Sequence, residues 1–126
     1  MALRSTIGRV RGLGSAKEGV HHWWAQRMTA VALVPLSLWF VCGVIRLIGA
    51  DYATAVAWFK APLVATLTVL LIVATFYHAA LGLQVVLEDY VHDEGHKIAS
   101  IAIIKGLAAL LGLLAVISVL KLAFGG

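Results

Sequence analysis

Three long apolar runs separated by short polar stretches dominate the chain. The first covers roughly residues 28–48, the second 62–87 and the third 98–124. Each is long enough to cross a bilayer as a helix, which takes about 20 apolar residues. The second exceeds that minimum, so a tilted span is expected. Pro35 lies a third of the way along the first run and is a candidate kink. Arg46 closes that run, and Lys105 and Lys121 lie near the two ends of the third, where long basic side chains snorkel to the interface. Trp23 and Trp24 fall at one water–lipid boundary and Trp58 and Phe59 at the other, as interface anchors do. No internal repeat or low-complexity tract interrupts this pattern. The expected fold is an all-α membrane protein of three transmembrane helices. Residues 1–27 form a basic cytoplasmic segment with an interfacial approach, and residues 28–126 form the membrane domain.

Composition agrees with the pattern. Of 126 residues, 62% are hydrophobic and 13% charged, against about 25% charged in a soluble domain. The mean hydropathy is +0.98. The chain is too short for a membrane domain plus a separate soluble one, so any large water-soluble chemistry belongs to other chains. Charge then sets the orientation. Arg4, Arg9, Arg11, Lys17 and Arg27 precede the first span, whereas the first loop (49–61) carries Lys60 offset by Asp51. Basic residues favour the cytoplasmic side. The N-terminus is therefore expected in the cytoplasm of a bacterium, or in the matrix if the membrane is the mitochondrial inner membrane. The basic tail is short and has no fold of its own, so it reads as a topology signal rather than a nucleic-acid site. It resembles a transit peptide in composition, yet runs straight into the membrane approach with no processing signal. The first span is too long, and its basic lead too extended, for a cleaved signal peptide. The second loop holds Glu88, Asp89, Asp93 and Glu94, an acidic surface suited to a basic partner.

Candidate chemistry centres on His78. From Ala61 to Leu87 there is no Asp, Glu, Lys or Arg, and the only strongly polar side chains are His78 and Gln84. An ionisable group inside a span is a functional-site hypothesis by default. His78 lies nine residues inside Leu87, about 14 Å at 1.5 Å per residue, close to mid-bilayer. Two roles fit that position: a packing histidine bonded to a neighbouring helix, and an axial ligand to a b-type haem. Ala74 and Gly82, four residues to either side, with Ala79 beside it, leave room for a close neighbour, either a helix or a flat macrocycle. The other histidines, His21, His22, His92 and His96, lie outside the spans. A six-coordinate haem on His78 would therefore take its second ligand from another chain, which makes this one part of a hetero-oligomeric helix bundle or, as the less favoured alternative, of a symmetric dimer. Haem propionates need cationic partners. His21 and Arg27 stand at the mouth of the first span, and Arg27 equally fits a snorkelling role.

Tyr90 follows His78 by twelve residues, about 18 Å further along a continuous helix. A phenol at that boundary suits hydrogen bonding to a quinone carbonyl, with Asp89 beside it to tune it or pass protons. A belt tyrosine next to a solvated acid fits the same position. Elsewhere the chemistry is sparse. Cys42 is the only cysteine, so the chain holds no iron–sulfur cluster by itself. His92-Asp93-Glu94-Gly95-His96 departs from the zinc-protease pattern, with Asp at its glutamate position and Gly95 weakening the helix. Gly12-Leu13-Gly14 has Lys17 at the third glycine position and lacks Gly-Lys-Ser/Thr, so no flavin or nucleotide site is expected on this chain.

The segment His78-Ala-Ala-Leu-Gly82-Leu-Gln-Val-Val-Leu-Glu-Asp89-Tyr90 resembles the H-x3-G-x6-D-Y signature of the small hydrophobic anchor subunit of succinate dehydrogenase, complex II. The approach segment Gly19-Val20-His21-His22-Trp23-Trp24-Ala25-Gln26-Arg27-Met28-Thr29-Ala30 is similar to that family's own, with His21 and Arg27 six apart and Thr-Ala following. The resemblance covers nearly the whole chain and points to a bacterial, alphaproteobacterial-like form of the cytochrome b556 type. It implies that His78 is an axial ligand of haem b, the other ligand coming from the second anchor (cytochrome b) subunit. It implies that His21 and Arg27 lie near the haem propionates. Tyr90 then hydrogen-bonds ubiquinone with Asp89 beside it, while FAD and the iron–sulfur clusters reside on the flavoprotein and iron–sulfur subunits. A fumarate reductase anchor and a non-redox membrane scaffold or small transporter subunit are the competing readings.

Overall fold

The computed structural model describes residues 6–10 and 17–125. Its helices are α1 (Thr6–Val10), α2 (Lys17–Arg46), α3 (Tyr52–Lys60), α4 (Pro62–Tyr90) and α5 (Glu94–Phe124). No strand occurs among the described residues. Three of the helices, α2, α4 and α5, are long and apolar enough to cross a membrane, as the apolar pattern predicts. In lipid every backbone polar group must be satisfied within the chain, and the helix does this for each span.

The helices outrun the apolar stretches. α2 has 30 residues, about 45 Å at 1.5 Å per residue, against about 30 Å of hydrocarbon. It already includes Lys17, well before Met28, so the approach segment is part of the same rod. Pro35 lies inside α2, and the helix continues through it. The loss of one backbone donor is tolerated in a membrane helix because neighbouring groups re-satisfy the freed carbonyl. α2 ends in a turn at Gly49, whose φ of 81° is the left-handed conformation that glycine adopts without a Cβ clash.

α3 is an additional helix within the stretch expected to be a loop. Asp51 caps it, with Oδ1 accepting from the Thr54 backbone N–H at 2.9 Å. Thr54 holds the Asp51 carboxyl below the ordinary carboxylate range, through its side chain first and then its backbone N–H. Ala61 is extended (φ −62°, ψ 125°) and separates α3 from α4. The following Pro62 accounts for that break, because proline disfavours helical geometry in the residue before it while opening its own helix well. Between α4 and α5 only three residues, Val91 to Asp93, intervene, so these helices are antiparallel neighbours.

α4 is the central helix. It packs against α2 and α5, whereas α2 and α5 have no backbone contact with each other, and α3 rests on α4 and α5. The interior is thin. Ala65, Thr68 and Leu81 of α4 and Gly112 and Val119 of α5 are buried, and no large side chain is fully enclosed among the described residues. Gly112 lies against Phe76, where an added Cβ would meet the Phe76 ring base at 3.4 Å. Large apolar side chains such as Leu38, Leu63, Leu110 and Leu114 are exposed. Faces of that kind are covered by lipid or by partner helices.

An aromatic cluster joins the far end of α2 to α3. Trp58 stacks on Trp39 with centroids 5.7 Å apart, and Phe59 meets Trp58 edge-on at 4.9 Å. Phe40 lies 6.3 Å from Trp58. Gly43 accommodates the indole: a Cβ there would overlap the Trp58 ring, coming within 2.7 Å of Cη2. Trp58 is thus partly covered by α2.

Candidate functional site

His78 projects from the middle of α4 and is half-buried. Its Nδ1 lies 2.9 Å from the Oγ1 of Thr29 on α2, a contact between residues 49 apart in sequence. The same hydroxyl lies 2.8 Å from the carbonyl oxygen of Ala25 and 3.1 Å from that of Gln26. Thr29 is therefore tied to its own helix while it meets the imidazole. No hydrogen bond to Nε2 of His78 occurs among the described residues.

The α2 face that meets α4 carries His22, Gln26 and Thr29, spaced four and three apart as one helix face requires. Its Gln26 packs at Gly82: a Cβ on Gly82 would fall 3.7 Å from Gln26 Nε2. The close neighbour that Gly82 admits is therefore α2. Two polar atoms on this face, His22 Nε2 and Gln26 Oε1, are buried with no hydrogen-bond partner.

His21 and Arg27 are both exposed. Arg27 precedes Thr29 by two residues, about 200° around the helix, so it lies on the side of α2 turned away from α4. Its guanidinium carbon sits 5.7 Å from the centre of the Trp23 ring, within cation–π range. Within this chain neither His21 nor Arg27 meets His78. Both face outward, where a neighbouring chain or a shared group has access.

Asp89 and Tyr90 form the last turn of α4, with Tyr90 78% exposed. Glu88, just before them, accepts from Gln84 Nε2 at 2.9 Å. Neither the Asp89 carboxyl nor the Tyr90 hydroxyl has a side-chain partner among the described residues. The next acid, Asp93, is committed to capping α5. Its Oδ2 accepts from the His96 backbone N–H at 2.9 Å and lies 2.7 Å from His96 Nδ1. This explains the His-Asp-Glu-Gly-His segment as a helix start, and no group of three metal-ligating side chains occurs among the described residues. A separate recess of about 630 Å³ lies between α4 and α5, apolar apart from Tyr77, Gln84 and Lys105.

Residues 1–120 match the family model described as "Succinate dehydrogenase/Fumarate reductase transmembrane subunit". The chain is 38% identical over 88 residues to a succinate dehydrogenase hydrophobic membrane anchor subunit of Rickettsia bellii, covering 70% of each chain. A protein of the same description from Paracoccus denitrificans is 37% identical over 90 residues, 71% of this chain and 70% of that one. The succinate dehydrogenase membrane anchor subunit of Reclinomonas americana is 32% identical over 95 residues, 73% of this chain and 79% of that one. No solved structure matches the chain. With three membrane-length helices and a match over nearly its whole length, the chain belongs to the family of succinate dehydrogenase hydrophobic membrane anchor subunits.

Proposed function

We propose that this chain anchors a succinate:ubiquinone oxidoreductase in the membrane, shares a b-type haem with a second anchor subunit, and forms part of the ubiquinone site. The observation that carries the haem reading is the engagement of His78. One ring nitrogen is held by Thr29 at 2.9 Å, and the other has no partner among the described residues. A ligating histidine characteristically has its second nitrogen held in this way. The residues therefore fit a haem whose other axial ligand comes from the second anchor subunit. His21 and Arg27, exposed on α2, are the groups of this chain assigned to the propionates.

A bound b haem supplies a one-electron carrier inside the membrane. This chain's own contribution is to orient an imidazole near mid-bilayer and to hold a phenol at the end of the same helix. The Tyr90 O–H donates to a ubiquinone carbonyl oxygen, and Asp89 exchanges protons with the aqueous side. Ubiquinone takes up two electrons and two protons in becoming ubiquinol. The electrons come from succinate through FAD and iron–sulfur clusters on the flavoprotein and iron–sulfur subunits, which links the citric acid cycle to the respiratory chain. The relatives' names favour succinate dehydrogenase over fumarate reductase. The basic lead supports a multi-pass chain in a bacterial inner membrane with its N-terminus in the cytoplasm, or in a mitochondrial inner membrane with its N-terminus in the matrix.

Purification in mild detergent tests the assembly. A flavoprotein, an iron–sulfur protein and one other small membrane chain should come with this one. Isolation as a lone homo-oligomer would refute the reading and favour a non-redox scaffold. In the purified complex His78→Ala should abolish the b-type signal in a reduced-minus-oxidised spectrum, and an unchanged signal would remove His78 as a ligand.

A further inference from the structure

Which atom donates in the contact between Thr29 Oγ1 and His78 Nδ1 depends on the imidazole tautomer, and the Thr29 hydroxyl proton is what chooses between the two. A threonine hydroxyl has one proton to donate and lone pairs to accept with. Its proton has an acceptor on its own helix, the Ala25 carbonyl oxygen at 2.8 Å. With the proton committed there, Oγ1 meets Nδ1 of His78 at 2.9 Å as an acceptor. On that assignment Nδ1 carries the proton, which leaves Nε2 with its lone pair in the ring plane. The opposite arrangement, with Thr29 donating to Nδ1, would put the proton on Nε2 and block coordination.

We propose that Thr29 is a positioning residue for iron ligation: it selects the Nδ1–H tautomer of His78 and fixes the ring plane so that Nε2 faces the metal. This rests on the reading of His78 as a haem ligand. Thr29 touches neither haem nor quinone in this role and acts only through the imidazole. The hydrogen bond also draws the Nδ1 proton towards oxygen. That raises the basicity of Nε2 and stabilises the oxidised iron over the reduced, as partners of ligating histidines do. At this depth no water replaces a lost acceptor, so an unpaired Nδ1–H would be costly.

The test uses the assembled, detergent-purified complex. Thr29→Val removes the hydroxyl at similar shape, and Thr29→Ser keeps it. Thr29→Val should shift the haem midpoint potential upward, change the EPR g values of the oxidised haem, and weaken haem retention by about 10-fold or more. Thr29→Ser should match the unaltered complex in all three readouts. Succinate oxidation by an artificial soluble acceptor should be unchanged in both. Thr29→Cys, with a weaker acceptor, should give a smaller shift in the same direction and serves if the valine variant fails to assemble. An unshifted potential and spectrum in Thr29→Val, or in Thr29→Cys where only that assembles, would overturn the proposal. So would a Thr29→Ser variant that shifts as far as Thr29→Val. A b-type signal that survives His78→Ala would overturn the haem reading beneath it, whereas loss of that signal with no effect of Thr29→Val would overturn this proposal alone.

Discussion

Replacing Gly43 by alanine should loosen the joint between α2 and α3. The added Cβ would overlap the Trp58 indole, approaching Cη2 to 2.7 Å. The indole cannot retreat freely, because Trp39 is stacked on it at 5.7 Å and Phe59 abuts it at 4.9 Å. Extra methyl groups forced into packed sites cost about 1–3 kcal/mol. At about 1.4 kcal/mol per tenfold, that is a roughly 5- to 140-fold shift against the closed arrangement. The temperature of half-inactivation of quinone reduction in the detergent-solubilised complex provides the assay, with tryptophan fluorescence as a local probe. Gly43→Ala should lower that temperature in the native background. In a Trp58→Leu background, where no indole is present to be struck, adding Gly43→Ala should lower it much less. Equal losses in both backgrounds would refute the steric argument and place the effect elsewhere on α2.

Other consequences are more direct. Tyr90→Phe removes one hydrogen-bond donor worth about 0.5–1.5 kcal/mol. It should slow ubiquinone reduction by roughly 2- to 12-fold while sparing succinate oxidation by a soluble artificial acceptor; equal loss of both activities would mean misassembly. Arg27→Leu should disturb haem retention or midpoint potential, and no change in either would leave Arg27 as an interfacial residue over Trp23. Asp51 has a lowered carboxyl pKa, so its support of α3 is present above the unfolded value of about 3.9. That support is lost as pH falls through the lower folded value. Asp51→Ala should therefore speed hydrogen exchange at the Thr54 amide at neutral pH, whereas Asp51→Asn should keep the cap and remove the acid-range dependence.

The three spans were legible because apolar runs of membrane length have few alternatives in this composition. α3 is less legible because the charges and interface aromatics of residues 49–61 suit a loop as well as a helix. Its Asp51 cap, three residues before Thr54, and the helix-compatible run after it were the available signals. The early start of α2 was equally hidden, since hydropathy marks where lipid begins and not where a helix begins. His78 stands out as a lone imidazole in an uncharged stretch. Its partner does not, because nothing local connects residues 29 and 78, and Thr29 is marked in the sequence only as part of a family-like segment. The adjacent histidines show the same limit. His21 stands six residues before Arg27, and His22 has a ring nitrogen buried without a partner on the α2 face that meets α4. A step of 100° around the helix separates the two, and sequence alone does not say which face is inward.

Between His78 and Tyr90 α4 is an unbroken helix. Loops absorb inserted or deleted residues by bulging, but a packed helix does not. One residue gained or lost between positions 79 and 89 would turn Tyr90 by about 100° and move it by about 1.5 Å relative to His78. Gene variants that change the length of this segment should therefore be far less tolerated than substitutions within it. Length changes in the turn at Gly49, by contrast, should pass with little effect on either end of α4.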